Sequence, residues 1–349
     1  MEQPIVVGIA SFGMSGKIFH APLLAHHKYF KINRIVERTT HEVQSLYPGV
    51  IVSRSLEELL NDREIELIIV NTPDQTHFEY AKQCLEAGKH VVVEKPLTLT
   101  VAEGEALIAL ARQHKRVLSV FQNRRWDGDF LTVRRIVSEQ MLGRLIDYEA
   151  HYDRYRNYIQ ANTWKEQAAS GTGILFNLGA HMIDQALVLF GMPYAVTAHL
   201  KTMRTGGEVD DWYDIRLHYP TLNVNLKASL LVREPGPRYM LHGTAGSFLK
   251  WGLDPQEEAL RQGKNPNDPD WGSESKEWWG LLTIEKDTGQ FKEKFETLPG
   301  NYSAFYTNLY EHITLGKELA VKPEEALHVI RIIQAARQSS AQLKTVMVV

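Results

Sequence analysis

Uninterrupted apolar runs fill the first third of the chain, and strict alternation takes over afterwards. Residues 4–10 (Pro-Ile-Val-Val-Gly-Ile-Ala), about Lys31–Val36, Glu66–Val70, 90–94 and Val117–Phe121 each have the length and β-branched content of a strand buried on both faces. Helical stretches at about 76–86 and 100–114 are interleaved with them, which predicts parallel strands joined by right-handed crossovers. Further on the period becomes two. Leu222, Val224, Leu226, Ala228 and Leu230 fall on one face of a segment, as do Tyr213, Ile215, Leu217 and Tyr219 of another. Residues 144–155, 195–204 and 238–250 read as companion strands. Helices are predicted from Asp127 to about Glu139, over about Ser303–Gly316 and over Pro323–Ala341, with a surface loop at 262–277. The fold class is α/β: a doubly wound parallel domain over 1–122, then a C-terminal α+β domain over 123–349 with an open, largely antiparallel mixed sheet.

At 349 residues the chain is long enough for two such domains. Its 39 basic and 42 acidic side chains nearly balance and form no basic block, which speaks against nucleic-acid binding. The start, Met-Glu-Gln-Pro, lacks a basic-then-apolar leader pattern, and no apolar run is long enough to span a bilayer. A single cysteine, Cys84, excludes an internal disulfide framework. The expectation is a cytoplasmic protein without a membrane partner.

The first strand runs into Ser11-Phe12-Gly13-Met14-Ser15-Gly16 and then a helix. This is the dinucleotide-binding spacing with Ser11 replacing its first glycine. Gly13 lets backbone approach a pyrophosphate, Gly16 lets helix pack on strand, and the helix start offers N–H groups to phosphate oxygens. Alone, such a turn is weak evidence. Glu37, 21 residues after Gly16 at the end of the second strand, stands where an acidic residue accepts the adenosine ribose hydroxyls. Arg38, with Thr39 and Thr40, could instead receive a 2′-phosphate. The balance tips slightly to NAD over NADP.

Residues 88–96, Gly-Lys-His-Val-Val-Val-Glu-Lys-Pro, end a buried strand in Glu94-Lys95-Pro96. A lysine there sits at the carboxyl edge of the sheet, where open α/β folds bind ligands, and Pro96 stops the strand behind it. A lone strand-end lysine more often just extends to solvent. In the second half, Asn177, His181 and Asp184 share one helix face after the Gly171-Thr-Gly173 lead-in. A lone histidine on an amphipathic helix is more often a satisfied core residue. No second close pair of ligands accompanies it, so no metal site is predicted.

Together these features resemble the Gfo/Idh/MocA oxidoreductases, over essentially the whole chain. The stretch 88–96 and the Asn177-x-x-x-His181-x-x-Asp184 pattern carry the likeness specifically. Residues Gln122–Phe130, the run from Pro193, Asp254–Leu260 and Pro299–Tyr302 look most like the branch containing NADP-dependent scyllo-inositol dehydrogenases. The resemblance implies an NAD(P)-dependent dehydrogenase acting on a hydroxyl of an inositol, sugar or related polyol. It implies Lys95 and His181 as catalytic groups, with Asn177, where many members carry Asp, orienting a hydroxyl. Cofactor contacts are implied for Ser11, Phe12, Gly13, Ser15, Gly16, Glu37, Arg38, Thr72, Pro73, His77, Glu94, Lys95 and Asn123. Substrate contacts are implied for Arg125, Tyr155, Trp164, Asp184 and Tyr306. A homo-oligomer, a dimer or dimer of dimers, is expected through the sheet face bearing Asn223, Asn225, Lys227 and Ser229. A nucleotide-bound regulator without turnover would keep Gly13 and Gly16 but not the lysine–histidine pair, and ranks second.

Overall fold

A computed structural model describes residues 3–39, 41–161, 163–169, 171–286 and 289–348. The chain divides into two compact units. The first takes in Met1–Trp126 and two later returns, Gln256–Trp271 and Asn301–Leu327; the second holds Asp127–Pro255, Gly272–Gly300 and His328–Val349. A single cut at residue 122 does not describe this partition, because the returning segments sit in the buried cluster of the first unit through Leu260, Tyr302, Phe305 and Leu309.

In the first unit six parallel strands, β1 (Ile5–Ile9), β2 (Phe30–Val36), β3 (Ile51–Ser53), β4 (Leu67–Val70), β5 (His90–Val93) and β6 (Leu118–Val120), lie in the order β3-β2-β1-β4-β5-β6. This is the doubly wound order with its reversal at β1/β4. The apolar runs are explained by two-sided burial: Val7, Ile9, Leu67, Val70 and Val91–Val93 are fully inaccessible. Register then sets what matters. Ile9 pairs with Ile69 and Val70 with Val93, so the turns after β1, β4 and β5 emerge side by side at one carboxyl edge. The turn after β5 is held further by a capping box: Thr100 accepts from the Glu103 amide, and Glu103 accepts from Thr100 and Leu99.

The second unit carries nine strands among the described residues. In chain order they are β7 (Leu145–His151), β8 (Ala195–Lys201), β9 (Trp212–His218), β10 (Asn223–Ser229), β11 (Tyr239–Gly243), β12 (Gly246–Lys250), β13 (Gly280–Lys286), β14 (Gly289–Phe295) and β15 (Val346–Met347). Their order is β14-β13-β12-β11-β7-β10-β9-β8-β15, parallel only between β7 and β10. The segment 238–250, expected as one strand, is the β11–β12 hairpin. One face buries Tyr148, Tyr213, Ile215, Val224, Leu226 and Tyr239. The helix Ala180–Phe190 lies on that face, where Tyr213 donates to Met182 Sδ and Tyr239 to Gln185 Oε1.

Candidate active site

The turn Ser11–Gly16 closes tightly because Gly16 has no side chain. A Cβ there would stand 2.3 Å from the Ser11 carbonyl oxygen. Asn71, from the end of β4, braces the same carbonyl at 2.8 Å. Ser11, which stands in place of the motif's first glycine, accepts from the Gly13 amide through its own hydroxyl at 3.2 Å. Phe12 is buried and its amide is taken by Val36, whereas Gly13 and Met14 are exposed and Ser15 is partly so. The helix that starts at Met14 passes through a π segment, Gly16–His20, before continuing as Ala21–Ala25. Such segments recur at functional sites. The residues fit a dinucleotide: first-turn amides are available there, a Cβ on Gly13 would meet only the Ser11 hydroxyl at 3.4 Å, and buried Asn71 Oδ1 has no hydrogen-bond partner.

Lys95 and Glu94 follow β5 at this edge, each half-buried, and the Lys95–Pro96 bond is cis. Glu94 accepts from the Lys95 amide at 3.0 Å. Thr72 and Pro73 sit in the neighbouring turn, Thr72 accepting from Thr76 Oγ1. His77, expected to touch the cofactor, is fully buried instead. Its ring nitrogens meet the carbonyls of Thr72 at 3.0 Å and Pro96 at 2.7 Å, tying the two turns together. Asn123 is buried just after β6.

Three expectations of ligand contact meet side chains engaged elsewhere. Glu37 is 2 % exposed, and its Oε1 accepts from the amides of Glu42 at 2.7 Å and Val43 at 3.4 Å, the start of a short helix. Arg125 is tied to Glu325 and the Ala320 carbonyl, at 2.7 and 2.8 Å. Tyr306 is fully buried with its hydroxyl 2.6 Å from His20 Nδ1. These residues shape the unit from inside. Arg38 is exposed and donates to the Tyr80 hydroxyl at 2.7 Å; Thr39 is exposed, and Thr40 lies outside the described residues.

In the second unit, the Gly171–Gly173 lead-in is explained by conformation and space. Gly173 has φ +90°, and a Cβ on it would be 2.2 Å from Asp210 Oδ1. Asp210 accepts from the Leu175 amide at 2.8 Å and so caps the helix that begins there. Burial pushes the Asp210 carboxyl above its ordinary range. This helix too passes through a π segment, Leu175–Gly179. Asn177 is exposed on it, whereas His181 and Asp184, 6 % and 2 % exposed, lie in the α-helical part. Tyr155 is 41 % exposed and holds the Arg233 guanidinium over its ring and on its hydroxyl. Trp164, half-buried, follows the Thr163 cap. Arg204, missed in the sequence, clasps this strap: it bonds Asp211, the Tyr158 carbonyl and both oxygens of Glu166 at 2.7–3.1 Å.

A 3-2-1-4-5-6 parallel sheet with a glycine turn, and a lysine turn two strands away at the same edge, defines a dinucleotide-dependent oxidoreductase. Comparison with known proteins agrees. Residues 5–122 match the family profile described as "Oxidoreductase family, NAD-binding Rossmann fold", and residues 134–348 the one described as "Oxidoreductase family, C-terminal alpha/beta domain". The chain belongs to the Gfo/Idh/MocA oxidoreductase family and is an NAD(P)-dependent oxidoreductase. It is 43 % identical to the scyllo-inositol 2-dehydrogenase (NADP(+)) IolW of Bacillus subtilis, covering 98 % of this chain and 96 % of that one. It is 39 % identical to the uncharacterized oxidoreductase YdgJ of Escherichia coli, over 99 % of both. Among solved structures, an oxidoreductase from Bacteroides fragilis aligns with TM-score 0.91 and 49 % identity over 99 % of this chain and 100 % of that one. YvaA from Bacillus subtilis aligns with TM-score 0.96 and 43 % identity over 99 % of each. Among the described residues, no helix is long and apolar enough to cross a membrane.

Proposed function

We propose that this enzyme interconverts a ring hydroxyl and the corresponding ketone of an inositol or closely related polyol, with Lys95 and His181 as its catalytic groups. One observation carries the lysine assignment: Lys95 is delivered at the carboxyl edge of β5, the edge that also holds the glycine turn. The substrate class is supported by the name of the Bacillus subtilis relative. Ser11–Gly16, Thr72, Pro73 and Asn123 would hold the cofactor, and the bound nicotinamide supplies the hydride acceptor or donor. His181 takes the hydroxyl proton in oxidation and returns it in reduction, as imidazole does best near neutral pH. The Lys95 ammonium donates to a substrate oxygen and steadies developing negative charge on it. Asn177 orients a neighbouring hydroxyl by hydrogen bonding, and Tyr155, Trp164 and Asp184 are the further substrate contacts.

For the cofactor, the sequence balance favoured NAD, whereas the geometry supports NADP. Glu37 spends one oxygen on a helix start, Arg38 is exposed beside it, and the Bacillus subtilis relative is named for NADP(+). Turnover of scyllo-inositol, myo-inositol and a sugar panel with each cofactor tests both readings. Inositol oxidation with a kcat/KM preference of tenfold or more for NADP, about 1.4 kcal/mol, is expected. Absence of turnover across the panel overturns the substrate class, and equal use of NAD overturns the cofactor choice. Lys95→Met and His181→Ala should each lose kcat by a factor on the order of 100 or more while cofactor binding persists. Near-parent turnover in either variant removes that residue from the mechanism.

A further inference from the structure

His20 has no part in that chemistry, yet it is fully buried in the π segment after the glycine turn, its ring centroid 4.5 Å from that of Phe121. Both ring nitrogens have polar partners. Nε2 lies 3.1 Å from Glu94 Oε1, and Nδ1 lies 2.6 Å from the Tyr306 hydroxyl. A carboxylate only accepts, so Nε2 carries the proton and Tyr306 donates to Nδ1; the neutral ring satisfies both. The other Glu94 oxygen, Oε2, accepts the Lys95 amide. Glu94 is thus held between the glycine-turn helix and the backbone of the lysine. The titratable groups acting on it are His20, Lys95 and His77, of which Lys95 carries a positive charge. Burial alone would push its carboxyl up; the His20 hydrogen bond, with the charge of Lys95, brings it below the ordinary carboxylate range.

We propose that His20 is a positioning residue for Lys95: held by Tyr306, it keeps Glu94 an oriented carboxylate, and Glu94 in turn fixes the backbone that delivers the lysine ammonium. The inference rests on the assignment of Lys95 above. It also gives the Tyr306 hydroxyl a task that substrate contact does not.

His20→Gln and His20→Leu separate this role from simple packing. Glutamine can donate to Glu94 and accept from Tyr306, whereas leucine fills space and does neither. With saturating cofactor and polyol, His20→Leu should lower kcat by about tenfold or more and move the acid limb of the kcat–pH profile to higher pH, because an unheld Glu94 protonates more readily. Cofactor Kd, read by fluorescence titration, should change by less than roughly threefold. His20→Gln should stay within roughly threefold of the parent, with its acid limb in place. Equal losses in both variants, or an unmoved acid limb in His20→Leu, overturn the proposal. A second measurement needs neither turnover nor a folded leucine variant. In 15N-histidine-labelled parent protein, the His20 signal, assigned by its absence from His20→Gln, should report the Nε2–H tautomer. An Nδ1–H tautomer overturns the positioning role even in an active enzyme. A failed substrate panel with the Nε2–H tautomer present overturns the proposed function alone.

Discussion

Replacing Glu257 by glutamine should cost the protein stability that fades in acid. Glu257 lies near the start of the segment Gln256–Trp271 that returns to the first unit, and its Oε2 meets Arg124 Nη2 at 2.7 Å, just after β6. Their side chains are 25 % and 9 % exposed, and Glu257 Oε1 also accepts from Arg261 at 2.8 Å. Burial works against the carboxylate, but the Arg124 charge, with the bonds from Arg261 and Arg124, carries its pKa down from 4.5 to about 2. A difference of about 2.5 units at about 1.4 kcal/mol each is about 3.5 kcal/mol, which partial exposure discounts toward about 2–3. The sign follows from the depressed value. The stabilisation is complete above the unfolded-state value of 4.5 and disappears as pH falls through about 2. Urea denaturation of parent and Glu257→Gln should therefore differ by about 2–3 kcal/mol at pH 7, and by less than half of that at pH 3. A difference under about 0.5 kcal/mol at pH 7, typical of an exposed pair, would refute the reasoning, as would one that persists undiminished in acid.

Gly173→Ala should destabilise the second unit by about 2–4 kcal/mol, since it combines a left-handed φ with a clash against Asp210; an unchanged thermal midpoint would count against this. Arg204→Lys cannot reproduce the fork on Glu166 and Asp211, so substrate KM should rise and the 155–166 strap should be cleaved faster in limited proteolysis. Unchanged KM and cleavage would show that the clasp leaves the strap indifferent. A homodimer is expected through the outer sheet face, where Asn223 is exposed, Asn225 is half-buried and Lys227 pairs with Glu149 at 2.9 Å, although Ser229 is itself buried. Sedimentation as a single 39.8 kDa species at micromolar concentration would rule it out.

The strands buried on both faces were legible because their apolar runs need no partner to be recognised; β1, β2, β4, β5 and β6 fall within a residue or two of their predicted positions. The three-residue β3 escaped, as did β13 and β14; an exposed segment such as Gly289–Phe295 carries no burial pattern to read. That Gly13, Gly16 and Lys95 lie in turns at strand ends was legible for a related reason. Each needs only its own strand end to be placed, and a strand end is a local property of the chain.

What each side chain then does was decided in space. Glu37 reads as a ribose partner by its distance along the chain, yet a helix start six residues on takes its oxygen. Tyr306 and Arg125 read as pocket residues, yet one meets His20 across 286 positions and the other Glu325 across 200. The π segments Gly16–His20 and Leu175–Gly179 leave no mark in hydrophobic period, and neither does the Arg204 clasp. Periodicity records which face is buried, so local sequence determines the elements and their edges. Hydrogen-bond partners of buried polar groups are chosen by register and return of distant chain, and only the tertiary structure contains that choice.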